Sequence, residues 1–269
     1  MERETRGGVQ VLSVPGLEEE SGVRVAFTSR LGGSSSGTLG SLNLSYNIDD
    51  RPDLVAANRE AVAQALGVPV RRWVLCRQVH GTAVADAGWL DAGRGAFDHR
   101  SGLPRTDALV TAVPGLLVGV LTADCVPLIL VEPSTPSVAV VHAGWRGVLA
   151  GIALRAAFRL AVRSGVGAGN FVALIGPHIG PCCLEVGADV ASMFRSEFGN
   201  GIVAGKERQT LDLRAATKKQ LLSAGLKKSN VIDTGTCTAC SGDYFSFRRD
   251  GVCGRQGAFA AVVTGSRRG

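Results

Sequence analysis

The chain has 269 residues, of which 45% are hydrophobic and 19% are charged, and its formal net charge is +6. This composition is typical of a packed globular protein and excludes an intrinsically disordered chain. A chain of this length can bury about three quarters of the surface that it exposes when unfolded. The sequence has no sustained heptad and no strict glycine period, which excludes a coiled coil and a collagen-like structure.

Charge and hydropathy patterns restrict the location and the partners of the protein. The basic residues are scattered, without the stripe of cations and aromatic residues that is typical of nucleic-acid binding. The apolar runs are short, as in Leu116–Leu121, whereas a membrane-spanning helix needs about 20 residues. The charged N-terminus does not resemble a secretory signal. In a protein that is not secreted, seven cysteines are expected to be free thiols or metal ligands, and not disulfides. We therefore expect a cytoplasmic protein that binds neither nucleic acid nor membranes.

The predicted elements follow one another in an irregular order of strands and helices. Short runs rich in Val, Leu and Phe predict strands at residues 9–14, 23–29, 110–113, 116–121, 126–131, 138–142, 171–175 and 259–263. Apolar residues at helical spacing predict helices at residues 54–66, 148–162, 188–198 and 211–224. Because strands and helices do not alternate regularly, we expect a mixed α+β fold. We expect a single domain over residues 1–269, with residues 1–22 at its periphery.

Candidate metal ligands stand where apolar segments end. His80 is followed by Gly81 at the end of a strand-like segment, and His142 ends another strand before a small-residue turn. Cys125 and its neighbour Asp124 lie in a polar island between two predicted strands. Two histidines and a cysteine provide three ligands and leave a fourth tetrahedral position free, which is typical of a catalytic zinc site.

The same residues allow two other interpretations, because their separations of 45 and 17 residues match no local motif. In the first, the two histidines are hydrogen-bonded core residues and the cysteine is a small buried thiol. In the second, Cys125 is a nucleophile, His142 is its base, and Asp124 or Asn43 orients the base, as in a thiol hydrolase.

Four sequence blocks support the metal site over the two alternatives, because they resemble the blocks of a known family. They read QVHG (78–81), TDALVT (106–111), ADCVPL (123–128) and VHAGWRG (141–147). Together with shorter blocks between residues 27 and 255, they resemble the signature blocks of the bacterial laccase-domain family. Members of that family are described both as polyphenol oxidases and as purine nucleoside phosphorylases. The resemblance covers about residues 23 to 264.

The resemblance implies a fold, a cofactor and a set of reactions. The fold is a single domain with two central mixed β-sheets flanked by helices, a four-layer αββα sandwich. The implied cofactor is zinc bound by His80, Cys125 and His142, although the older polyphenol oxidase name implies copper. The implied reactions are phosphorolysis of adenosine, inosine and guanosine, deamination of adenosine, and phosphorolysis of methylthioadenosine. The family's link to peptidoglycan precursors implies such precursors as substrates for the thiol hydrolase alternative.

Phosphorolysis requires a bound anion, and arginine binds phosphate through its forked guanidinium group. We therefore expect Arg59 and Arg248 to contact phosphate or ribose, with Arg146 as a further candidate. A solvated surface position is the alternative for each of these arginines. Asn43 is expected to orient the substrate from the loop that follows a Gly/Ser-rich stretch.

Two further candidates flank the metal ligands. Asp124, next to Cys125, would carry the proton in deamination or hydrogen-bond near the metal. Gln78 precedes His80 by two residues, so on a strand both side chains would face the site from the same side.

The remaining cysteines leave a second metal site open. Cys237 and Cys240 form a C-x-x-C motif, which would be half of a structural zinc site with Cys253 and Cys182, a redox pair, or two separate thiols. Cys182 is followed directly by Cys183.

Three classes of function therefore compete. The first is a zinc-dependent nucleoside enzyme. The second is a copper oxidase, which four histidines make less favourable because multicopper oxidases bind several copper ions mostly through histidine. The third is a non-catalytic interaction protein, which would bind no metal.

Overall fold

Two six-stranded β-sheets form the centre of the structure, a computed structural model that describes residues 1–263. The strands are β1 (Glu2–Arg6), β2 (Val9–Ser13), β3 (Val23–Thr28), β4 (Trp73–Leu75), β5 (Val84–Asp86), β6 (Ala108–Thr111), β7 (Leu117–Thr122), β8 (Val126–Glu132), β9 (Ser137–Ala143), β10 (Val172–Ile175), β11 (Val203–Ala204), β12 (Thr210–Leu211), β13 (Val231–Asp233) and β14 (Gln256–Val262). The α-helices are α1 (Leu17–Ser21), α2 (Pro52–Leu66), α3 (Trp145–Leu149), α4 (Ile152–Ser164), α5 (Ala188–Phe198), α6 (Leu213–Ser223) and α7 (Phe247–Asp250).

Both large sheets are mixed. The first has the strand order β1-β2-β3-β14-β7-β4, and the second has the order β13-β10-β8-β9-β6-β5. In the first sheet only β4 and β7 are parallel neighbours, and in the second β5 is parallel to β6 and β10 to β13. Strands β11 and β12 form a separate two-stranded ribbon.

The two sheets pack face to face, and helices cover their outer faces. Side chains such as Val118 from the first sheet and Ile129 from the second share the core between the sheets. Helix α2 packs on the outer face of the first sheet through residues that include Val62. Helices α4, α5 and α6 cover the outer face of the second sheet. This four-layer arrangement confirms the expected α+β sandwich.

Strands β8 and β9 are buried along their entire lengths because both faces of the second sheet are covered. Their continuous apolar runs therefore carry no alternation, and the sequence predicts them well. The edge strand β1 has the opposite pattern, with charged and mostly exposed residues. Sequence analysis did not predict β1, nor the three-residue strands β4, β5 and β13.

The predicted helix at residues 148–162 is two helices, α3 and α4. Gly151 separates them with a φ of 87°, a left-handed conformation that ends one helix and that glycine adopts without steric cost. Residues 1–22, expected at the periphery, form β1, β2 and α1 beside β3, and Val9 and Val11 are buried there. Residues 264–269, part of the expected domain, lie outside the described residues. Within the described part of the chain, no helix is both long and apolar enough to cross a membrane.

Candidate active site

The candidate site lies at one end of the sandwich, where the chain passes between the two sheets. The connection from β7 to β8 crosses from the first sheet to the second and carries Cys125. The connection from β4 to β5 makes the same passage and carries His80, whereas His142 lies one residue before the end of β9. The ligand atoms of the three side chains all lie within 4.8 Å of one another. The structure therefore brings together the three residues that the sequence analysis nominated as metal ligands.

Two residues at this site have left-handed backbone conformations that are uncommon for side chains other than glycine. The φ angle is 59° at His80 and 91° at Asp124. Asp107 holds the first of these turns, because its carboxylate accepts hydrogen bonds from the backbone N–H groups of Val79, His80 and Gly81 at 2.8–3.2 Å. Such conformations persist where the surrounding structure holds them, and they cluster at functional sites.

Asp107 also orients the second histidine. Its Oδ1 lies 2.8 Å from Nδ1 of His142, and both side chains are buried. This contact leaves Nε2 of His142 for a metal or for the Cys125 thiol, the usual arrangement of a carboxylate, a histidine and a metal. Sequence analysis did not assign Asp107 a role, although a charged residue directly before the apolar strand β6 was an available signal. In the thiol hydrolase interpretation, Asp107 takes the place expected for Asp124 or Asn43.

The electrostatics of the site favour a charged thiolate. Burial opposes ionisation of Cys125, but the neighbouring His142 and His80 lower the pKa of its thiol to about 6. Burial likewise opposes protonation of His142, but Cys125 and Asp107 raise its pKa to about 9. The pKa of Asp107 is lowered despite its burial, because His142 and backbone N–H groups stabilise the carboxylate. The protonated ring of His142 is therefore balanced by the thiolate of Cys125 and the carboxylate of Asp107.

The donor set and the space around it fit a metal ion. A Cβ atom at Gly144 would lie 2.7 Å from Cδ2 of His80 and 3.2 Å from Sγ of Cys125, so only glycine permits this close approach. Two imidazoles and one thiolate suit zinc, and three protein ligands leave one coordination position for water or substrate. The residues present therefore fit zinc.

Asp124 connects the site to two neighbouring loops. Its Oδ1 accepts a hydrogen bond of 2.6 Å from Oγ1 of Thr238, and its Oδ2 accepts one of 2.7 Å from the backbone N–H of Arg248. Its side chain lines the same cavity as Cys125. The predicted catalytic carboxyl group therefore lies in the site and also positions the segment that carries Arg248.

The three candidate ligands open into a cavity of about 410 Å³, within the size range of small-molecule sites. Its lining includes Asn47, His99, Phe247 and Arg255, which sequence analysis did not assign to the site. Burial and the nearby cation of Arg77 lower the pKa of His99. Arg255 belongs to one of the short blocks of the family resemblance, which was the available signal for it.

Two of the predicted substrate-binding residues line this cavity, Arg248 and Gln78. The guanidinium group of Arg248 donates to the backbone carbonyls of Cys183 and Glu185, each at 3.0 Å. Gln78 lies on a loop and not on a strand, and its amide exchanges two hydrogen bonds with the backbone of Leu121. The geometric reason given for Gln78 was therefore wrong, although its position at the cavity is as expected.

Arg59 has a structural role that excludes the expected contact with phosphate or ribose. It is 2% exposed, and its guanidinium group donates to the carbonyls of Leu44, Gly95 and Ala96 at 2.6–2.8 Å. These bonds occupy its donors with backbone carbonyls, and Arg59 is not among the residues that line the cavity. Its position on the inner face of α2 decided this outcome.

Among the described residues 1–263, neither Asn43 nor Arg146 lines the cavity. Asn43 is fully buried and hydrogen-bonds Ser45, Asp50 and the backbone N–H of Arg255, so it positions the cavity wall instead of the substrate. Arg146 is exposed on α3, with its guanidinium carbon 4.4 Å from the ring centroid of Trp145.

Known proteins resemble this chain over nearly its whole length. The family model described as multi-copper polyphenol oxidoreductase laccase matches residues 24–263. The purine nucleoside phosphorylase YlmD of Geobacillus stearothermophilus is 36% identical over 266 residues, which cover 96% of this chain and 95% of the relative. A crystal structure of YlmD from that organism has a TM-score of 0.90 at 34% identity, with 97% of each chain covered.

Two more relatives have names that refer to nucleoside reactions. A purine nucleoside phosphorylase of Streptomyces coelicolor is 38% identical over 241 residues, which cover 87% of this chain and 93% of the relative. An adenosine deaminase from an unknown prokaryotic organism is 33% identical over 237 residues, which cover 86% of this chain and 90% of the relative.

Proposed function

Because the chain belongs to the multi-copper polyphenol oxidoreductase laccase family and is an enzyme, we propose that it is a zinc-dependent purine nucleoside phosphorylase. The proposed substrates are adenosine, inosine and guanosine, with deamination of adenosine and phosphorolysis of methylthioadenosine as further activities. The observation that carries the proposal is one cavity that combines the cluster of His80, Cys125 and His142 with two arginines. The names of the relatives support the same reaction class.

The cavity offers separate groups for the parts of a nucleoside and for phosphate. Phe247 lines the cavity and is 60% exposed, so its ring provides a face on which a purine base can stack. Arg248 and Arg255 provide cationic donors for a phosphate anion. In the reaction, a phosphate oxygen bonds to the ribose C1′ while the C1′–N9 bond breaks. The purine departs with the electron pair and takes up one proton.

The chain's own residues prepare the site for this chemistry. Asp107 fixes the backbone of the His80 loop and the ring of His142, so the imidazole of His142 is preorganised. When bound, zinc would supply Lewis-acid chemistry, because two histidines and a cysteine leave one coordination position open. We assign proton transfer in deamination to Asp124, which lines the cavity beside Cys125.

The phosphorolysis is tested by measuring the release of free purine from each nucleoside with and without inorganic phosphate. We expect release to depend on phosphate, and Arg255→Gln to raise the phosphate KM at least about tenfold, because a charge-assisted contact contributes about 1.5–3 kcal/mol. Arg146→Gln is the matched control, since Arg146 is an exposed arginine outside the cavity lining. Equal release of purine without phosphate would contradict a phosphorylase.

Metal content separates the zinc enzyme from a copper oxidase and from a protein without metal. We expect protein purified without added metal to contain zinc at this site. Each of three single variants should remove that zinc: His80→Ala, Cys125→Ala and His142→Ala. Each variant should also lose the nucleoside activity while its circular dichroism spectrum stays that of the native fold. Copper in place of zinc would favour the polyphenol oxidase instead.

One observation supports a second candidate, a thiol hydrolase acting on peptidoglycan precursors. Cys125, His142 and Asp107 stand in the order of a nucleophile, a base and the group that orients it. Labelling of Cys125 by iodoacetamide, mapped by peptide mass, distinguishes the two candidates. A zinc-bound thiolate should react slowly until a chelator removes the metal, whereas a catalytic thiolate should react rapidly in the zinc-loaded protein.

A further inference from the structure

Four cysteines meet in a second cluster outside the candidate active site. The Sγ atoms of Cys182, Cys183, Cys237 and Cys240 all lie within 4.8 Å of one another. Sγ of Cys240 is 3.6 Å from Sγ of Cys182 and 3.4 Å from Sγ of Cys183. Cys253, which the sequence pattern suggested as a partner, instead packs beside Arg255.

The topology of the second sheet produces this meeting. Strands β10 and β13 are parallel neighbours, so the segments that follow them leave the same edge of the sheet. Reciprocal backbone bonds then join these segments: the N–H of His178 donates to the carbonyl of Thr236, and the N–H of Thr238 donates to the carbonyl of His178. The backbone therefore holds the two cysteine pairs together.

We propose that these four cysteines bind one zinc ion as a structural site. Zinc–sulfur bonds of about 2.3 Å in a tetrahedron place the sulfur atoms about 3.8 Å apart, close to the 3.6 Å and 3.4 Å between Cys240 and its two neighbours. Four thiolates complete the tetrahedral coordination and leave no position for substrate, which is typical of a structural site. The thiol protons are released to solvent when the ion binds.

The surroundings of the cluster favour a shared ion over a single disulfide. Cys240 is close to two sulfur atoms on different residues, whereas a disulfide would pair it with only one. The backbone N–H of Gly180 donates to Sγ of Cys237 at 3.2 Å, a bond that stabilises a thiolate. A Cβ atom at Gly180 would lie 3.2 Å from Sγ of Cys182, so this glycine leaves room for the sulfur atoms.

The ion would brace one wall of the cavity. Arg248 donates to the carbonyl of Cys183, and Leu184, the next residue along the chain, lines the cavity. From the other segment, the side chain of Thr238 donates to Asp124. The ion would therefore join two segments that both contact the candidate active site.

The test uses the full chain with the other metal site removed. In a His80→Ala/Cys125→Ala background purified without added metal, we expect about one zinc per chain. Adding Cys237→Ser and Cys240→Ser should reduce the zinc content at least tenfold, whereas adding Cys253→Ala should leave it unchanged. Intact mass and circular dichroism report disulfides and folding for each variant.

Cobalt(II) provides a readout that does not depend on whether the serine variant folds. In the same background, cobalt loaded in place of zinc should show the intense sulfur-to-metal charge-transfer absorption and the visible bands of a tetrahedral thiolate site. Absence of zinc and of this spectrum, or a disulfide within the cluster, would overturn the inference. Failure of the phosphorylase proposal would leave these results unchanged, because the background already lacks that site.

Discussion

At the scale of single residues, Asp107 has the widest influence on the candidate active site. One buried carboxylate accepts hydrogen bonds from three consecutive backbone N–H groups and from the ring of His142. It thereby holds the backbone of His80, which lies on the β4–β5 connection, and the ring of His142, which lies in β9. A carboxylate can accept all these bonds, whereas an amide would turn an NH₂ group toward some of the donors.

We predict that Asp107→Asn weakens zinc binding at the candidate active site about 10- to 100-fold, the usual effect of losing a partner behind a metal ligand. The measurement is zinc affinity by competition with a chromogenic chelator, in a Cys237→Ser/Cys240→Ser background if the second cluster also binds metal. Asp49→Asn, at an exposed position, is the control. Unchanged affinity in Asp107→Asn would show that the carboxylate does not support the metal site.

Arg59 provides a second test at this scale, because its role is structural. We predict that Arg59→Met lowers the free energy of unfolding by about 3 kcal/mol or more, since it leaves buried carbonyls without donors. The phosphate KM at a permissive temperature should stay within twofold. Urea denaturation and steady-state kinetics measure the two effects, and Arg155→Met, at an exposed position on α4, is the control. A tenfold rise in KM without a stability loss would restore the expected phosphate contact.

At the scale of elements, Gly119 in the first sheet makes room for the ring of Phe259. Phe259 on β14 packs against Trp73 of β4, with ring centroids 5.0 Å apart. Gly119, its partner on β7, lies beneath this ring, and a Cβ there would overlap the ring and lie 2.9 Å from Cδ2 of Leu75. The absence of a side chain at Gly119 therefore leaves room for the ring of Phe259, which packs against Trp73 at an interplanar angle of 47°.

We predict that Gly119→Ala lowers the free energy of unfolding by about 1–3 kcal/mol, the usual cost of overpacking a filled core. Gly167→Ala is the matched control, because Gly167 has a φ of −68° and no atom within 4 Å of the added Cβ. Chemical denaturation of both variants gives the comparison. Equal stabilities would mean that the sheet can shift to accept a methyl group.

At the scale of the whole molecule, β14 is a central strand of the first sheet. Strand β14 comes from the C-terminal part of the chain, yet it lies between β3 and β7 in the first sheet. In contrast, within the described residues 1–263, β1 is the outermost strand of that sheet and pairs only with β2. Strands β1 and β14 therefore contribute very differently to the core.

We predict that a chain ending at Arg255 does not reach the native fold, because β3 and β7 lose their shared partner. A chain beginning at Gly7 lacks only β1 and should fold, with a Tm within about 5 °C of the full chain, since an edge strand buries little apolar surface. Circular dichroism and thermal melting measure both. A cooperative transition in the chain ending at Arg255 would contradict the central role of β14.

Sequence patterns predicted the elements that have strong local signals. Strands β8 and β9 are continuous apolar runs, and α2 and α5 have helical spacing of apolar residues, so each could be found without tertiary information. The short strands β4, β5 and β13 have no such signal, because pairing with a neighbour makes them strands. Gly151 divided a helix that residue spacing alone predicted to be continuous.

The sequence by itself determined the mixed α+β class, and its blocks indicated the family and the candidate ligands His80, Cys125 and His142. Only the tertiary structure decided which charged groups face the cavity. Arg59 lies on the inner face of α2, whereas Arg255 reaches the cavity from a loop that Asn43 holds. The physical reason is that a side chain's partners come from segments distant along the chain, and sheet order brings these together. The same order assembled the four-cysteine cluster, because β10 and β13 end at one edge.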